Sequence, residues 1–125
     1  MKMAEMERRV LIIDPDSRDR ASMTKFLENE RCVVETGKGL TDAIKKIANG
    51  NFDCLIMDVD LPEMKGYEAV SILKNMDSDM KIIMTTKKNS KRLEAKVREQ
   101  DVFYYFIKSF GNEELKMAIN NAFIK

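Results

Sequence analysis

Four apolar runs of this chain end on side chains that could bind a cation or a phosphate group. These side chains are Asp14 after residues 10–13, Asp58 after residues 54–57, Thr85 and Thr86 after residues 82–84, and Lys108 after residues 102–107. Carboxylates that lie close together repel each other unless a cation lies between them, and oxygen ligands suit Mg²⁺. A lysine and a hydroxyl beside that cation could hold a phosphoryl group, which a carboxylate could accept covalently.

Each of these residues taken singly also has an ordinary structural explanation. Lys108 could be a strand-end lysine and Thr86 a helix cap. Asp14 could form a turn, and Asp58 could merely cap the loop that follows it. The occurrence of all these residue types together at four run ends favours the chemical interpretation.

The elements that must position these side chains alternate between strand and helix. Short apolar runs bounded by turn residues predict buried parallel strands, and segments with helical spacing follow each run. The predicted helices are 17–30, one around 43–48, one around 69–76, 87–100 and 112–124. Five strand–helix repeats predict a single α/β domain, a doubly wound parallel sheet with helices on both faces. The carboxyl ends of its strands share one edge, where such folds bind ligands.

Composition narrows the possible functions. The 125 residues include 22 basic and 21 acidic side chains, so the net charge of +1 does not favour nucleic acid. No segment resembles a membrane span or a signal peptide, which predicts a cytoplasmic protein. The absence of histidine excludes histidine-based catalysis and histidine-ligated zinc. Cys32 and Cys54 are expected to be buried thiols rather than a disulfide.

The motifs of the chain resemble those of CheY-like response-regulator receiver domains. They are VLIID at strand one, LIMDVDLPEMKG around Asp58, the hydroxyl after strand four, and YYFIKSF around Lys108. The resemblance implies a flavodoxin-like strand order, 2-1-3-4-5, over residues 8–125. The charged residues 1–7 that precede this domain are expected to form a flexible tail. It also implies that a sensor histidine kinase or a phosphotransfer protein phosphorylates the chain.

The resemblance assigns roles to individual residues. Asp58 would accept the phosphoryl group and Lys108 would pair with it. Asp14, Asp58 and the backbone carbonyl of Asp60 would bind Mg²⁺, with Asp16 as a possible further ligand. Tyr105 matches the aromatic switch position. Counting back from Tyr105 without a gap favours Thr86 as the switch hydroxyl, whereas Thr85 requires one extra residue in the following helix.

Three positions depart from the family pattern. Pro15 occupies the place of a second acid that usually binds the metal directly, which predicts weak Mg²⁺ binding. Ser109 replaces the usual cis-proline after Lys108, and a cis bond before a non-proline residue costs about 2.5–4 kcal/mol. Lys87 replaces the usual small residue if Thr86 is the switch.

Three other functions compete with that of a phosphoacceptor receiver. A pseudo-receiver would keep the fold as a protein-binding module without phosphorylation. An aspartate-nucleophile phosphohydrolase would use the Asp-x-Asp spacing of residues 14–16 and 58–60, but the chain has neither a cap domain nor a later acidic pair. A flavin carrier is disfavoured because the loop after strand one lacks a phosphate cradle. The chain is therefore not expected to be an enzyme.

The fourth predicted helix is strongly basic. Its basic residues, counted from the predicted start at residue 87, are Lys87, Lys88, Lys91, Arg92, Lys96 and Arg98. A solvated basic face would explain a lone charge run, but the nearby Tyr104, Tyr105 and Phe110 are typical of interfaces. With the resemblance, they predict a docking surface on helix four, strand five and helix five for an acidic protein or a second copy. Nucleic acid is a less favoured partner.

Overall fold

The computed structural model describes residues 7–124, apart from the side chain of Phe110. The predicted tail therefore lies outside the described residues except for Glu7, and so does Lys125. In order the elements are β1 (Arg8–Ile13), α1 (Ser17–Asn29), β2 (Cys32–Gly37), α2 (Leu40–Asn49), β3 (Cys54–Asp58), α3 (Gly66–Met76), β4 (Lys81–Thr86), α4 (Lys91–Arg98), β5 (Tyr104–Ile107) and α5 (Asn112–Ala122).

The five strands form one parallel sheet in the order β2-β1-β3-β4-β5, which confirms the predicted topology. Strand β3 lies at its centre, between β1 and β4, and residues 10–13 of β1 and 54–58 of β3 are buried throughout. Such uninterrupted apolar runs are expected where helices cover both faces of a sheet. Asp58 lies opposite Thr85 in the β3–β4 register, so the polar ends of these strands are level.

Alternate residues of each strand pack on opposite faces of the sheet. Leu11, Leu55 and Met84 pack on one face with the apolar sides of α2, α3 and α4. Ile12 and Ile56 pack on the other face with α1 and α5. This period-two alternation determines on which side each side chain leaves the strand end.

Helix α4 is shorter than the sequence predicts. It begins at Lys91 rather than residue 87, because the Ser90 hydroxyl accepts a hydrogen bond from the Leu93 backbone N–H at 3.0 Å. Lys87 and Lys88 therefore lie in the loop before the helix, so their placement on it was wrong. Strand β5 begins at Tyr104 instead of residue 102, and α5 ends at Ala122 rather than residue 124. Val97 is the one buried residue of α4.

Cys32 and Cys54 are buried free thiols, as predicted. Burial raises the pKa of both, so they are protonated at neutral pH and behave as small apolar side chains. None of the helices formed by residues 7–124 combines the length and apolarity needed to cross a bilayer.

Candidate functional site

The ammonium group of Lys108 lies between three carboxylates at the carboxyl edge of the sheet. Its Nζ donates hydrogen bonds to Oδ2 of Asp14 and Oδ2 of Asp58, each at 2.6 Å, and to Oδ2 of Asp19 at 2.9 Å. Lys108 is the first residue after β5, and Asp58 is the last residue of β3. The parallel sheet thus brings together three of the predicted site residues, from three strands.

Burial and hydrogen bonding shift the pKa values of Asp14 and Lys108 in opposite directions. Asp14 is only 1% exposed, and burial raises the pKa of its carboxyl group although the hydrogen bond from Lys108 lowers it. Burial alone would lower the pKa of Lys108, but hydrogen bonds to Asp14, Asp58 and Asp19 raise it above its ordinary value. The lysine is therefore fully charged at neutral pH, and it compensates carboxylates that water reaches poorly.

Asp14 and Asp58 are oriented by the same local hydrogen bond. In each, Oδ1 accepts a hydrogen bond from the backbone N–H two residues later, at 2.9 Å from Asp16 and 2.8 Å from Asp60. This short turn is typical of aspartate, because its carboxylate reaches that amide without strain. One oxygen of each carboxylate is held by the backbone, and the other faces Lys108.

Gly66 allows the chain to turn tightly behind Asp58. Its N–H donates to the carbonyl of Val59 at 2.7 Å, and a Cβ at this position would lie 2.3 Å from the carbonyl oxygen of Asp58. Only glycine fits this close backbone approach. Asp60 lies in the same turn, where its exposed carboxylate pairs with Lys65 at 2.5 Å. The role of its backbone carbonyl as a metal ligand stays a prediction.

The carboxylate of Asp16 contacts groups other than Lys108. Its carboxylate caps α1 by accepting hydrogen bonds from the N–H groups of Arg18 and Asp19, and it forms an ion pair with Lys87. The Lys87 hydrogen bond and then the Asp19 amide lower the pKa of Asp16 to about 2. A metal ligand at Asp16, which the sequence left possible, would have to exchange these contacts.

The two threonines at the end of β4 lie on opposite faces of the sheet. Thr86 lines the same cavity as Asp58, and its hydroxyl donates to the carbonyl of Lys88 at 2.9 Å. The Thr85 hydroxyl is buried and has no hydrogen-bond partner within the described part of the chain. Tyr105 is partly buried, and its hydroxyl donates to Oδ1 of Asn89 at 2.7 Å. The switch roles of Thr86 and Tyr105 remain predictions.

Sequence reasoning missed Asp19 as a member of the site. It interpreted this residue only as an acid in the first turn of α1, where it does lie. Its spacing from Asp16 was the available signal, because a residue three positions after a helix cap lies on the same side of the first turn. Whether that side faces Lys108 depends on how α1 docks on the sheet.

A cavity of about 680 Å³ opens above these side chains. Its residues are Asp14, Pro15, Asp16, Asp58, Val59, Asp60, Lys65, Tyr67, Thr86, Lys87, Lys88, Ser90, Arg92, Leu93, Lys96 and Lys108. One end is therefore acidic, and the wall contributed by α4 and its preceding loop is basic. Lys91 is exposed and does not line the cavity.

The donor set at the acidic end is compatible with Mg²⁺. No cluster of three or more acidic or cysteine side chains arranged for a metal occurs within residues 7–124. Mg²⁺ nevertheless needs only one or two carboxylates, because it retains several waters. Asp14 and Asp58, whose oxygens lie 2.6 Å from one ammonium, are such a pair. Ser109 follows Lys108 through a trans peptide bond, so the family's cis bond is not used here.

Comparison with known proteins identifies the family. The sequence model of the response regulator receiver domain family matches residues 10–120 of this chain. The chain therefore belongs to this family. Its members are signalling modules of two-component systems, and they bind Mg²⁺ in general. The chain is 28% identical over 116 residues to the response regulator UvrY of Escherichia coli K12, covering 91% of this chain and 53% of UvrY. It thus spans about half the length of that relative.

Two solved structures of response regulators are similar to this chain in fold. The response regulator TrrA of Thermotoga maritima, in complex with Mg(2+)-BeF, is 28% identical with a TM-score of 0.81, covering 94% of this chain and 99% of TrrA. The beryllofluoride-activated NtrC4 receiver domain dimer is 28% identical with a TM-score of 0.86, covering 93% of this chain and 96% of that one. These similarities confirm the predicted CheY-like fold.

Proposed function

We propose that this receiver domain accepts a phosphoryl group on Asp58 from a sensor histidine kinase or a phosphotransfer protein. The observation that carries the proposal is the Lys108 ammonium, 2.6 Å from both Asp58 and Asp14 at the open edge of the sheet. A carboxylate that must attack phosphorus has to be ionised and accessible. Lys108 places its positive charge 2.6 Å from Oδ2 of Asp58, and the cavity provides access to this carboxylate.

In the proposed reaction, one carboxylate oxygen of Asp58 attacks the phosphorus of a phosphohistidine. A P–O bond forms while the P–N bond breaks, and its electron pair stays on the imidazole nitrogen. Lys108 then pairs with a phosphoryl oxygen in place of the Asp58 oxygen. The Thr86 hydroxyl, now bonded to the carbonyl of Lys88, turns to donate to the phosphoryl group, and Tyr105 moves in response.

Mg²⁺ belongs to the same proposal. Asp14, Asp58 and the carbonyl of Asp60 would hold the ion, with Asp16 contributing only if it leaves α1 and Lys87. When bound, the ion neutralises charge on the phosphoryl oxygens. We expect weak binding, because Pro15 supplies no carboxylate and Mg²⁺ tolerates incomplete coordination poorly.

The intact mass of the protein after incubation with Mg²⁺ and acetyl phosphate tests the proposed acceptor. One added phosphate is expected on the native chain and none on Asp58→Asn, because Asp58 is the carboxylate at the end of the central strand. Asp60→Asn is the matched control, since its side chain is exposed and faces Lys65, and it should still be phosphorylated. Phosphate that persists on Asp58→Asn, at Asp14 or Asp16, would contradict the assignment.

The comparisons do not support the alternative of a phosphorylation-independent pseudo-receiver. Its sequence basis was the loss of an acid at Pro15 and of the family proline at Ser109. Asp58, Lys108 and Thr86 nevertheless meet around one cavity, which is the arrangement that phosphotransfer needs. We also propose that the chain has no enzymatic turnover of its own and works in the cytoplasm, where it would meet an intracellular kinase domain.

We further propose that α4, β5 and α5 form a docking surface for an acidic protein or a second copy of the domain. Lys91 and Arg92 are exposed at the start of α4, and no ion pair occupies them among the described residues. Tyr105 lies partly exposed on the neighbouring strand, where an aromatic ring beside arginine is typical of interfaces. The side chain of Phe110, also predicted here, lies outside the described part. Direct binding of nucleic acid is not part of the proposal.

Charge reversal of Lys91 and Arg92 to glutamate tests this surface. Stability should change little, because both side chains are exposed. Binding to an acidic partner, or self-association in sedimentation, should fall and depend strongly on salt. Lys45→Glu with Lys25→Glu is the control, since it reverses two charges elsewhere. If both variants behave alike, the basic residues of α4 form only a solvated face.

A further inference from the structure

Lys87 connects the loop before α4 to the acidic side of the site. Its ammonium pairs with the carboxylate of Asp16 and lies 3.5 Å from Oδ2 of Asp19. The same Asp19 oxygen accepts the hydrogen bond from Lys108 at 2.9 Å. Lys87 and Lys108 therefore share Asp19, and together they compensate four carboxylates, of which Asp14 and Asp58 are the buried pair.

This arrangement puts a positive charge of the chain where a divalent cation would otherwise be attracted. Asp16 is the residue whose carboxylate could complete a metal site weakened by Pro15. It is occupied by Lys87 instead, and hydrogen bonds to α1 hold it in that orientation. Asp16 is the carboxylate that Lys87 and a divalent cation would both use, and the two positive charges repel each other there.

We propose that Lys87 is a tethered counter-cation that competes with the divalent cation for the acidic side of the site. Binding of the cation displaces Lys87, and this frees the loop of residues 87–90 from α1. The inference rests on the proposed Mg²⁺ site at Asp14 and Asp58, but it does not require phosphorylation. It assigns a role to a residue that the phosphotransfer reaction leaves without one.

The displacement links cation binding to the docking surface. The loop that Lys87 anchors leads directly to Ser90, which caps α4, and then to Lys91 and Arg92. Helix α4 has a single buried residue, so little packing resists its adjustment when the anchor is lost. By reciprocity, a partner that holds the loop away from Asp16 must also increase the affinity of the site for the cation.

Direct binding of Mn²⁺, measured from the electron paramagnetic resonance signal of the free ion without phosphodonor, tests the competition. Lys87→Met should bind Mn²⁺ about tenfold more tightly than the native chain at low ionic strength, because it removes the competing charge and releases Asp16. Lys88→Met is the matched control: it removes the same charge one residue later, from an exposed lysine that lines the same cavity without an ion pair among the described residues. The control should tighten binding less than about threefold.

Asp16→Asn should shift binding in the opposite direction. It removes a carboxylate and leaves the positive charge of Lys87 near the site, so binding should weaken. Amide hydrogen exchange of residues 87–92 provides a second measurement: Mg²⁺ should speed exchange in the native chain, whereas in Lys87→Met exchange should be fast without Mg²⁺.

The proposal is overturned if Lys87→Met and Lys88→Met shift the Kd for Mn²⁺ equally, or if neither variant nor the native chain binds the ion. These outcomes leave the assignment of the acceptor untouched, because the added mass on Asp58 is measured separately. Conversely, a chain that shows the expected order of Mn²⁺ affinities but takes no phosphate would support the role of Lys87 and contradict the proposed function.

Discussion

The removal of the charge on Lys108 should destabilise the protein strongly at neutral pH. In Lys108→Met the two carboxylates of Asp14 and Asp58 keep their buried positions but lose the ammonium between them. Their side chains are 1% and 10% exposed, so water can compensate little of the loss. Removing one partner of a buried ion pair typically costs about 3–5 kcal/mol. Because Asp19 is partly exposed, we expect the low end, about 3 kcal/mol, or roughly 10 °C in Tm.

The loss of unfolding free energy in Lys108→Met should depend on pH in a defined direction. Burial already raises the pKa of Asp14, and loss of the Lys108 hydrogen bond raises it further. A carboxyl group whose pKa is higher in the folded than in the unfolded protein stabilises the fold when it is protonated. That contribution is lost as the pH rises through the folded-state pKa. The deficit of Lys108→Met should therefore be largest at pH 7.5 and smaller at pH 5.

Urea denaturation of both proteins at the two pH values measures the effect. Lys65→Met is the matched control, because Lys65 forms an equally short ion pair with Asp60, but both side chains are more than half exposed. Exposed ion pairs contribute little to stability, so Lys65→Met should lower the free energy of unfolding much less than Lys108→Met does. A loss below about 1 kcal/mol for Lys108→Met, or one equal at both pH values, would refute the reasoning.

Three further changes have expected outcomes. Pro15→Asp should tighten Mg²⁺ binding in calorimetry by adding a carboxylate; unchanged binding would mean that Asp16 already completes the site. Glu63→Ala should cost about 1 kcal/mol in urea denaturation, because its carboxylate accepts hydrogen bonds from the first two N–H groups of α2 at 2.9 and 3.0 Å; Glu63→Gln should recover part of the loss. Gly66→Ala should lower the free energy of unfolding by about 2 kcal/mol and slow phosphorylation, because its Cβ would lie 2.3 Å from the carbonyl oxygen of Asp58. Gly50→Ala is the control and should change stability little, because the nearest atom to its Cβ would lie 3.4 Å away.

The sequence alone was sufficient to predict the parallel sheet and the edge at which Asp58 and Lys108 lie. Uninterrupted apolar runs at β1 and β3 predict buried parallel strands, and a parallel sheet requires their carboxyl ends to lie at one edge. Because Asp58 and Lys108 each come at the end of such a run, their proximity follows from topology without knowledge of any side-chain contact. Family resemblance supplied the strand order and the predicted switch roles of Tyr105 and Thr86.

Only the tertiary structure determines which side chains surround Asp58 and Lys108. Lys87 and Asp16 are 71 positions apart, and Glu63 caps a helix that begins 23 positions earlier. Such contacts depend on how loops and helices dock on the sheet, which local patterns of apolar residues do not encode. Local patterns also do not determine where α4 begins, since Ser90 ends a polar stretch in which several residues could begin a helix. Strands follow from hydrophobic periodicity, whereas the cations and caps at their ends follow from packing.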